Sequence, residues 1–316
     1  AYENGFSAIT IGDATSGTIS FGTVSLKDNT TFENNANVEF AGTVLAQENL
    51  ILNSSGEINQ TSGYIDVNGT TSITAGAANN ITLNDSVNDF TGEVSIISGN
   101  NVSLQDKNDL VLGVSAASGD LTVVTAGSLT QTGALDVTGA TALSAGSGND
   151  ITLNNVNNDF AGTVSIISGN NVILSGINAL TLGLSTISGD LTLSSAGMIT
   201  SSDALTVTGA TSVSSGAGND VNLDDSNDFT GAVTVVSGAN TTLRNANAMT
   251  IAGISSNGTV DVATLAGDLT ISGNVTTMDS GTSAIVLNAG ESSAAGTSTG
   301  GDLILSGSPT ISTGAG

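Results

Sequence analysis

The side chains in this sequence that could carry out chemistry are almost all carboxylates. The 316 residues include 28 acidic residues, no histidine, no cysteine and three basic residues, Lys27, Lys107 and Arg244, which gives a formal net charge of −25. Carboxylates on their own could form two kinds of site: an acid/base pair that cleaves a polysaccharide, or a set of oxygen ligands for Ca²⁺. The lack of thiols excludes a disulfide framework and a thiolate metal site.

The acidic residues recur at equivalent places along the chain instead of gathering at one place. Two recurring sets stand out, namely Asp89, Asp159 and Asp228, and Asp120, Asp190 and Asp268. A catalytic centre needs carboxylates that converge once on a cleft, usually beside a histidine, lysine or arginine. The recurrence is typical of corners in a repeated structure, so we predict a protein with no catalytic residues and no cofactor.

A polysaccharide lyase or hydrolase remains the alternative function. A basic residue stands next to an aspartate at Lys27-Asp28 and at Asp106-Lys107. A groove with three or more convergent carboxylates beside Arg244 or Lys107 would favour such an enzyme.

The densest acidic group, which could attract calcium, consists of Asp224, Asp225 and Asp228. The sequence contains neither an Asp-x-Asp-x-Asp-Gly loop nor a Gly-Gly-x-Gly-x-Asp nonapeptide, the two common calcium motifs. We therefore predict solvated turn carboxylates at this place and no metal site.

The negative net charge also limits which molecules the chain can bind. Contacts to phosphate require lysine and arginine, so we expect no nucleic acid partner, and an anionic membrane surface would repel the chain. The segment contains no run of about 18 apolar residues and opens without the regions of a signal peptide, so we expect no membrane insertion.

The chain is a tandem repeat. The segment Asn88–Val102 returns as Asn158–Val172 with two changes, and a more divergent copy begins at Asn227. The marker phenylalanines Phe90, Phe160 and Phe229 are 70 and 69 residues apart (160 − 90 and 229 − 160). Self-similarity at a fixed period indicates a stacked repeat architecture.

Each copy contains many short apolar segments separated by glycine, asparagine or aspartate. In the first full copy we predict nine strands, with cores at Val94–Ile96, Val102–Leu104, Leu110–Leu112, Leu121–Val123, Leu129, Leu135–Val137, Ala142–Leu143, Ile151–Leu153 and Phe160. Such strands are too short for a sandwich and favour a β-solenoid with about three strands per coil. A copy would then hold three coils of about 23 residues, with Val, Ile, Leu, Ala and the phenylalanines inside and Asn, Thr and Ser ladders at the corners.

This period predicts three parts of the chain. Residues 1–38 form N-terminal coils of a longer protein, residues 39–290 form the tandem repeats, and residues 291–316 form a Ser/Gly-rich loop, Glu291–Gly301, followed by a last coil. The first copy is short, because Phe40 precedes Phe90 by only 50 residues (90 − 40), which predicts the loss of one coil.

The recurring motifs resemble the repeats of a known family. They are Asn-Asp-Phe-(Thr/Ala)-Gly-x-Val, Ser-Gly-Asp-Leu-Thr, Ala-Leu-x-Val-Thr-Gly-Ala-Thr (Ala134–Thr141, Ala204–Thr211), Gly-x-Gly-Asn-Asp and the opening Gly5–Gly12. They are similar to those of filamentous-haemagglutinin-like, two-partner-secretion-type adhesins of Gram-negative bacteria. This resemblance implies a right-handed parallel β-helix, secretion through an outer-membrane pore, and attachment to a host or neighbouring-cell surface, a glycan or a matrix.

We therefore expect an all-β, right-handed parallel β-helix that is not an enzyme. Its expected function is that of a structural and adhesive rod, a stalk or an extracellular fibre, in a large secreted bacterial cell-surface protein. Exposed end coils could let such segments join end to end as a homo-oligomer or filament by adding strand to strand.

Overall fold

The computed structural model describes residues 5–292 and 300–314, and within these ranges every regular element is a β-strand. The chain divides into two compact units, Ala1–Gly162 and Thr163–Gly316. No helix in the described ranges is long and apolar enough to cross a membrane.

The first unit contains 22 short strands. They are β1 Ile9–Gly12, β2 Ile19–Phe21, β3 Val24–Leu26, β4 Thr30–Asn34, β5 Val38–Ala41, β6 Val44–Ala46, β7 Leu50–Ser54, β8 Ile58–Ser62, β9 Ile65–Val67, β10 Thr71–Thr74, β11 Ile81–Leu83, β12 Asp89–Phe90, β13 Val94–Ser98, β14 Val102–Asp106, β15 Leu110–Leu112, β16 Ser115–Ala117, β17 Leu121–Thr125, β18 Leu129–Gln131, β19 Leu135–Val137, β20 Thr141–Ser144, β21 Ile151–Leu153 and β22 Asp159–Phe160.

These strands pair in parallel, and most pair with the strand three places later in the chain. The ladders are β1-β4-β7-β10-β13, β2-β5-β8-β11-β14-β17-β20, β3-β6-β9-β12, β15-β18-β21 and β16-β19-β22. A chain that returns to the same ladder every third strand winds in coils. The first unit is thus a parallel β-solenoid with three strands per coil, and the predicted fold class is confirmed.

Strict alternation of side chains explains why these segments form strands. In β7 the side chains of Leu50 and Leu52 are buried inside the coil, whereas Ile51 and Asn53 alternate with them on the outer side. The same alternation fills the core with Val, Ile and Leu. Phenylalanines contribute as predicted, since Phe21 contacts Phe32 edge to face at 4.6 Å between ring centroids and stacks on Phe40 at 4.9 Å.

The second unit has the same construction. Its strands are β23 Val164–Ser168, β24 Val172–Gly176, β25 Leu180–Leu182, β26 Ser185–Ile187, β27 Leu191–Ser195, β28 Ile199–Ser201, β29 Leu205–Val207, β30 Thr211–Ser214, β31 Val221–Phe229, β32 Ala232–Gly238, β33 Thr241–Asn245, β34 Met249–Ser256, β35 Val260–Thr264, β36 Leu269–Ile271, β37 Val275–Thr277, β38 Ile285–Asn288, β39 Leu303–Leu305 and β40 Ile311–Ser312.

Parallel ladders again connect successive coils of the second unit. They run β24-β27-β30-β32-β34-β36-β39, β23-β25-β28-β31-β33-β35-β38 and β26-β29-β31, and β37 pairs with β34 and β40. The strand predicted at Gly301–Leu305 is present as β39. Most of the predicted loop Glu291–Gly301, residues 293–299, lies outside the described residues.

Some coils have the 23 residues predicted for them, since Ile58 pairs with Ile81 and Thr71 with Val94 (81 − 58 and 94 − 71), but others are shorter. Leu110 pairs with Leu129, and Leu129 with Ile151, so these two coils contain 19 and 22 residues (129 − 110 and 151 − 129). A copy therefore holds one more strand than predicted. The extra strand is β16, Ser115–Ala117, whose small side chains give no apolar alternation that sequence analysis could detect.

This extra strand means that a copy is not a whole number of coils. From β12, which carries Phe90, to β22, which carries Phe160, the chain advances ten strands, or three coils plus one strand. Accordingly Phe40, Phe90 and Phe160 belong to three different ladders. The short copy, from β5 to β12, has seven strands and so lacks three, as expected for the loss of one coil.

The protein should still fold after deletion of one whole coil. We expect the chain without residues 110–128 to fold, because Leu129 would take the place of Leu110 and the pairing above and below would keep its register. Removal of residues 110–118 should disrupt folding, since β17 would then occupy the place of β15 and every later ladder of the unit would shift. Circular dichroism and thermal unfolding would compare the two proteins, and equal behaviour would contradict the three-strand coil.

Candidate functional site

The aspartates of the second recurring set are rungs of corner ladders. In the first unit, Asn80 Oδ1 accepts a hydrogen bond from Asn101 N at 3.2 Å, Asn101 Oδ1 accepts one from Asp120 N at 3.0 Å, and Asp120 Oδ1 accepts one from Ala140 N at 2.8 Å. Each side chain thereby holds the backbone of the next coil. Four successive coils are joined at one corner in this way.

Similar ladders occur in the second unit. Asn171 Oδ1 accepts from Asp190 N at 3.0 Å and Asp190 Oδ1 from Ala210 N at 2.8 Å. Asp268 Oδ1 accepts from Asp302 N at 2.8 Å. The predicted role of Asp120, Asp190 and Asp268 at corners is confirmed.

The Asn-Asp-Phe motif, which carries the first recurring set, is a buried cross-coil staple. Asn158 is fully buried, and its Oδ1 accepts hydrogen bonds from Leu135 N at 2.9 Å and from Gln131 Nε2 at 2.8 Å, while its Nδ2 donates to Gln131 Oε1 at 2.8 Å. Asn88 makes the equivalent bonds with Ile65 N and Gln60. The phenylalanine two residues later enters the core, so the motif fixes a corner.

The structure separates the acid and base that are adjacent at Asp106-Lys107. Lys107 Nζ lies 2.7 Å from Asp89 Oδ2, and the hydrogen bond to Asp89 raises the pKa of Lys107. The Asp106 side chain points the other way and is buried, where it accepts hydrogen bonds from Phe90 N at 2.7 Å and Asn108 N at 2.6 Å. Burial raises the pKa of the Asp106 carboxyl above its ordinary value of 3.8.

Sequence analysis missed this structural role of Asp106, although the repeat contains a signal for it. The equivalent residue of the third copy is Asn245, whose Oδ1 accepts a hydrogen bond from Phe229 N at 2.7 Å and whose Nδ2 donates to the carbonyl oxygens of Asn247 and Ala248. An amide in place of a carboxylate, and Gly176 in the second copy, indicate that the position does not need a charge.

Arg244 connects two strands and the segment that follows β38. Its Nη2 lies 2.7 Å from Asp261 Oδ2, and its Nε lies 3.3 Å from Glu291 Oε2. Glu291 N also donates to the carbonyl oxygen of Thr264 at 2.8 Å, so the backbone at Glu291 is held against β35. The two ion pairs of Arg244 therefore link β33 to β35 and to the segment that follows β38.

The acidic group at Asp224, Asp225 and Asp228 lies in β31. Asp228 Oδ1 accepts a hydrogen bond from Asn247 Nδ2 at 3.1 Å, another contact between coils. Over residues 5–292 and 300–314, no three or more His, Cys, Asp or Glu side chains are grouped so that they could hold a metal ion.

Replacement of Asp106 by asparagine should stabilise the protein at neutral pH. The raised pKa means that the ionised carboxylate opposes folding above that pKa. This opposition declines as the pH falls and is gone below 3.8, where the carboxyl is protonated in both the folded and the unfolded state. We expect Asp106→Asn to raise the free energy of unfolding by about 1 kcal/mol at pH 7, with the gain lost in acid. Urea unfolding at several pH values would measure it.

The control for Asp106→Asn is Asp136→Asn, which removes the same charge from an exposed strand position. It should leave the free energy of unfolding nearly unchanged. A loss of stability in Asp106→Asn at pH 7 would contradict the assignment of a buried carboxylate that opposes folding.

Replacement of the buried Asn158 should destabilise the protein far more than replacement of the neighbouring Asn157. Asn158→Ala leaves the buried Leu135 N–H without its partner and removes two hydrogen bonds from the Gln131 side chain, which should lower the free energy of unfolding by about 2 kcal/mol. Asn157→Ala is the matched control, because the Asn157 side chain is exposed. Equal effects in thermal or urea unfolding would show that the corner does not depend on the staple.

Comparison with known proteins identifies the repeats but no further relative. A family described as repeats of unknown function (DUF5649) matches residues 27–97, 99–167 and 169–236, which together make up about two thirds of the chain. The three matches follow one another directly and confirm the tandem repeat. Searches of the curated proteins and of the solved structures found no match. The chain thus belongs to the DUF5649 family of repeats of unknown function.

Proposed function

We propose that the chain is a structural and adhesive segment of a large secreted cell-surface protein of a Gram-negative bacterium. It acts without catalysis, as a stalk or as part of an extracellular fibre. In this role it spaces a binding region from the cell that carries it and meets a host or neighbouring-cell surface, a glycan or a matrix.

The observation that carries this proposal is the use of the recurring Asp and Asn side chains as links between coils. Asp120 and Asp190 each accept a backbone N–H from the next coil, and Asn158 staples two coils from inside. Carboxylates are by far the most numerous ionisable groups of the chain, and these links bind several of them to its own backbone. A structure whose polar groups serve stacking is suited to a mechanical role.

The repeat supports the same function, because stacked coils can be added without altering those already present. Each coil contributes a rise of about 4.8 Å, the distance between neighbouring strands. Stability then comes from contacts between adjacent coils, so length can change by whole strands or coils while the local structure is kept.

The resemblance of the motifs to filamentous-haemagglutinin-like adhesins supports the location at the cell surface. Association of such segments end to end is part of the proposal. Strands at the end of a parallel stack offer unpaired N–H and C=O groups, which can pair with another strand.

The proposal predicts that the protein is accessible on intact cells. Gold-labelled antibodies against the purified chain should label the outside of unbroken cells of the bacterium that encodes it, and a deletion of the repeats should reduce attachment to surfaces or to other cells. An antibody against a cytoplasmic protein is the control for cell integrity. Labelling that appears only after lysis, together with unchanged attachment, would contradict the proposal.

A further inference from the structure

A one-residue bulge interrupts the strand pairing at the same place in two copies. In the first unit, Ile73 pairs with Ile96 and Thr74 pairs with Ser98, so Ile97 has no residue opposite it. In the second unit, Val213 pairs with Val235 and Ser214 with Ser237, which leaves Val236 as the extra residue. Bulges of this kind redirect a side chain relative to the sheet.

The residue at this position is apolar and exposed in all three copies. Ile97 is 52% exposed, its equivalent Ile167 is 60% exposed, and Val236 is 55% exposed. The partly exposed outer residues two positions earlier in these strands, Ser95, Ser165 and Thr234, are polar instead. The recurrence of a half-exposed aliphatic side chain at one position of the repeat points to a contact with another molecule.

The backbone after the bulge is also specialised. A Cβ at Gly99 would lie 2.7 Å from Ile81 Cδ1 and 3.0 Å from Val102 Cγ2, so no larger residue fits there without a shift of the core. A glycine stands two residues after the exposed apolar residue in all three copies, at Gly99, Gly169 and Gly238. The bulge is therefore built into the repeat.

A second exposed apolar residue lies on the next coil in two of the copies. Val114 and Leu184 are each 62% exposed. Each precedes a serine that is bound to the residue before the bulge: Ile96 N donates to Ser115 Oγ at 3.3 Å, and Ile166 N donates to Ser185 Oγ at 3.1 Å. The two apolar side chains of a copy thus stand on adjacent coils at nearly the same register.

In the third copy the second position is Gly253, and a shallow hollow replaces the apolar side chain. This hollow has a volume of about 400 Å³ and is lined by Val236, Gly253, Ser255, Thr276 and neighbouring residues. The bulged valine remains exposed at its edge. The third copy therefore has a hollow beside its exposed valine where the other two copies have a second apolar side chain.

Acidic side chains flank the apolar pair of the first unit. Glu93 Oε1 accepts a hydrogen bond from Ser95 Oγ at 3.0 Å, and Glu93 Oε2 accepts one from Thr132 Oγ1. Asp136, which is exposed, lines a small hollow together with Gly99 and Ala116. The apolar patch formed by Ile97 and Val114 therefore has the carboxylates of Glu93 and Asp136 nearby.

The net charge of the chain indicates the charge of the partner that binds this patch. A protein with a net charge of −25 attracts cations, and its like charge opposes side-by-side packing of a second copy. Two of its three basic side chains, Lys107 and Arg244, are already ion-paired. The field around the patch thus favours a positively charged partner that also carries apolar side chains.

We infer that each full copy carries a docking site for a cationic amphipathic polypeptide segment. Aliphatic or aromatic side chains of that segment cover Ile97 and Val114, or their equivalents. In the first copy its lysine or arginine side chains face Glu93 and Asp136, and in the other copies the overall negative charge of the chain attracts them. The inference rests on the bulge and the charge, and it holds wherever the protein is located.

Binding of two short fluorescent peptides would test it, one of alternating leucine and lysine and one of alternating serine and lysine with the same charge. The wild-type protein should bind the leucine peptide roughly tenfold more tightly. Serine at the five apolar positions, Ile97, Val114, Ile167, Leu184 and Val236, should abolish that preference. These side chains are exposed, so the variant should fold, which circular dichroism would verify.

The matched control replaces Val87 and Val156 by serine, because both are exposed apolar residues outside the bulges. It should keep the preference for the leucine peptide. Equal binding of both peptides by the wild-type protein, or equal losses in variant and control, would overturn the inference. Sedimentation of the protein alone completes the test, since self-association that disappears in the five-residue variant would show that the occupant is a second copy.

Discussion

Every coil depends on hydrogen bonds to the coil before it and the coil after it. Leu121 N, for example, donates to the carbonyl oxygen of Ala140 at 2.9 Å, and Val102 N donates to that of Asp120 at 2.8 Å. A parallel stack has no hairpins, so no coil can satisfy its own backbone. Register therefore has to be maintained across long sequence separations, and side chains at the corners are the means by which it is maintained.

The corner groups work because they accept hydrogen bonds in one direction along the stack. Asn101 binds the backbone of Asp120, and Asp120 binds that of Ala140. Inward alternation of aliphatic residues provides the burial, while the ladders at the corners decide which residue lies above which. Since a copy contains ten strands, the corners that stack on each other come from different places in the repeat. The turn chemistry must consequently be similar all along the copy, which explains why Asn, Asp and Gly recur in most turns.

The sequence was sufficient to predict the fold class, most strands and the structural use of the recurring aspartates. Apolar alternation located β13, β14 and β17 correctly, but it could not reveal β16, whose residues are Ser115, Ala116 and Ala117. Without that strand the coil appeared too long. The environment of Asp106 was equally hidden, because adjacency to Lys107 in sequence says nothing about the side on which each residue of a strand lies. The bulge at Ile97 requires the pairing itself and cannot be deduced from one strand.

The fold does not require the negative charge that dominates the composition. The same rung is an asparagine in one copy and an aspartate in another: Asn80 Oδ1 accepts a hydrogen bond from Asn101 N at 3.2 Å, and its equivalent Asp220 accepts one from Asn240 N at 2.9 Å. Either residue supplies the oxygen, so hydrogen bonding alone does not explain 28 acidic residues against three basic ones. The excess of aspartate is a property of the surface, where it creates a field that keeps like molecules apart and draws cations. The carboxylates thus have two separate roles. At the corners they accept hydrogen bonds, which an asparagine can do equally well, and at the surface their charge determines which partners can approach.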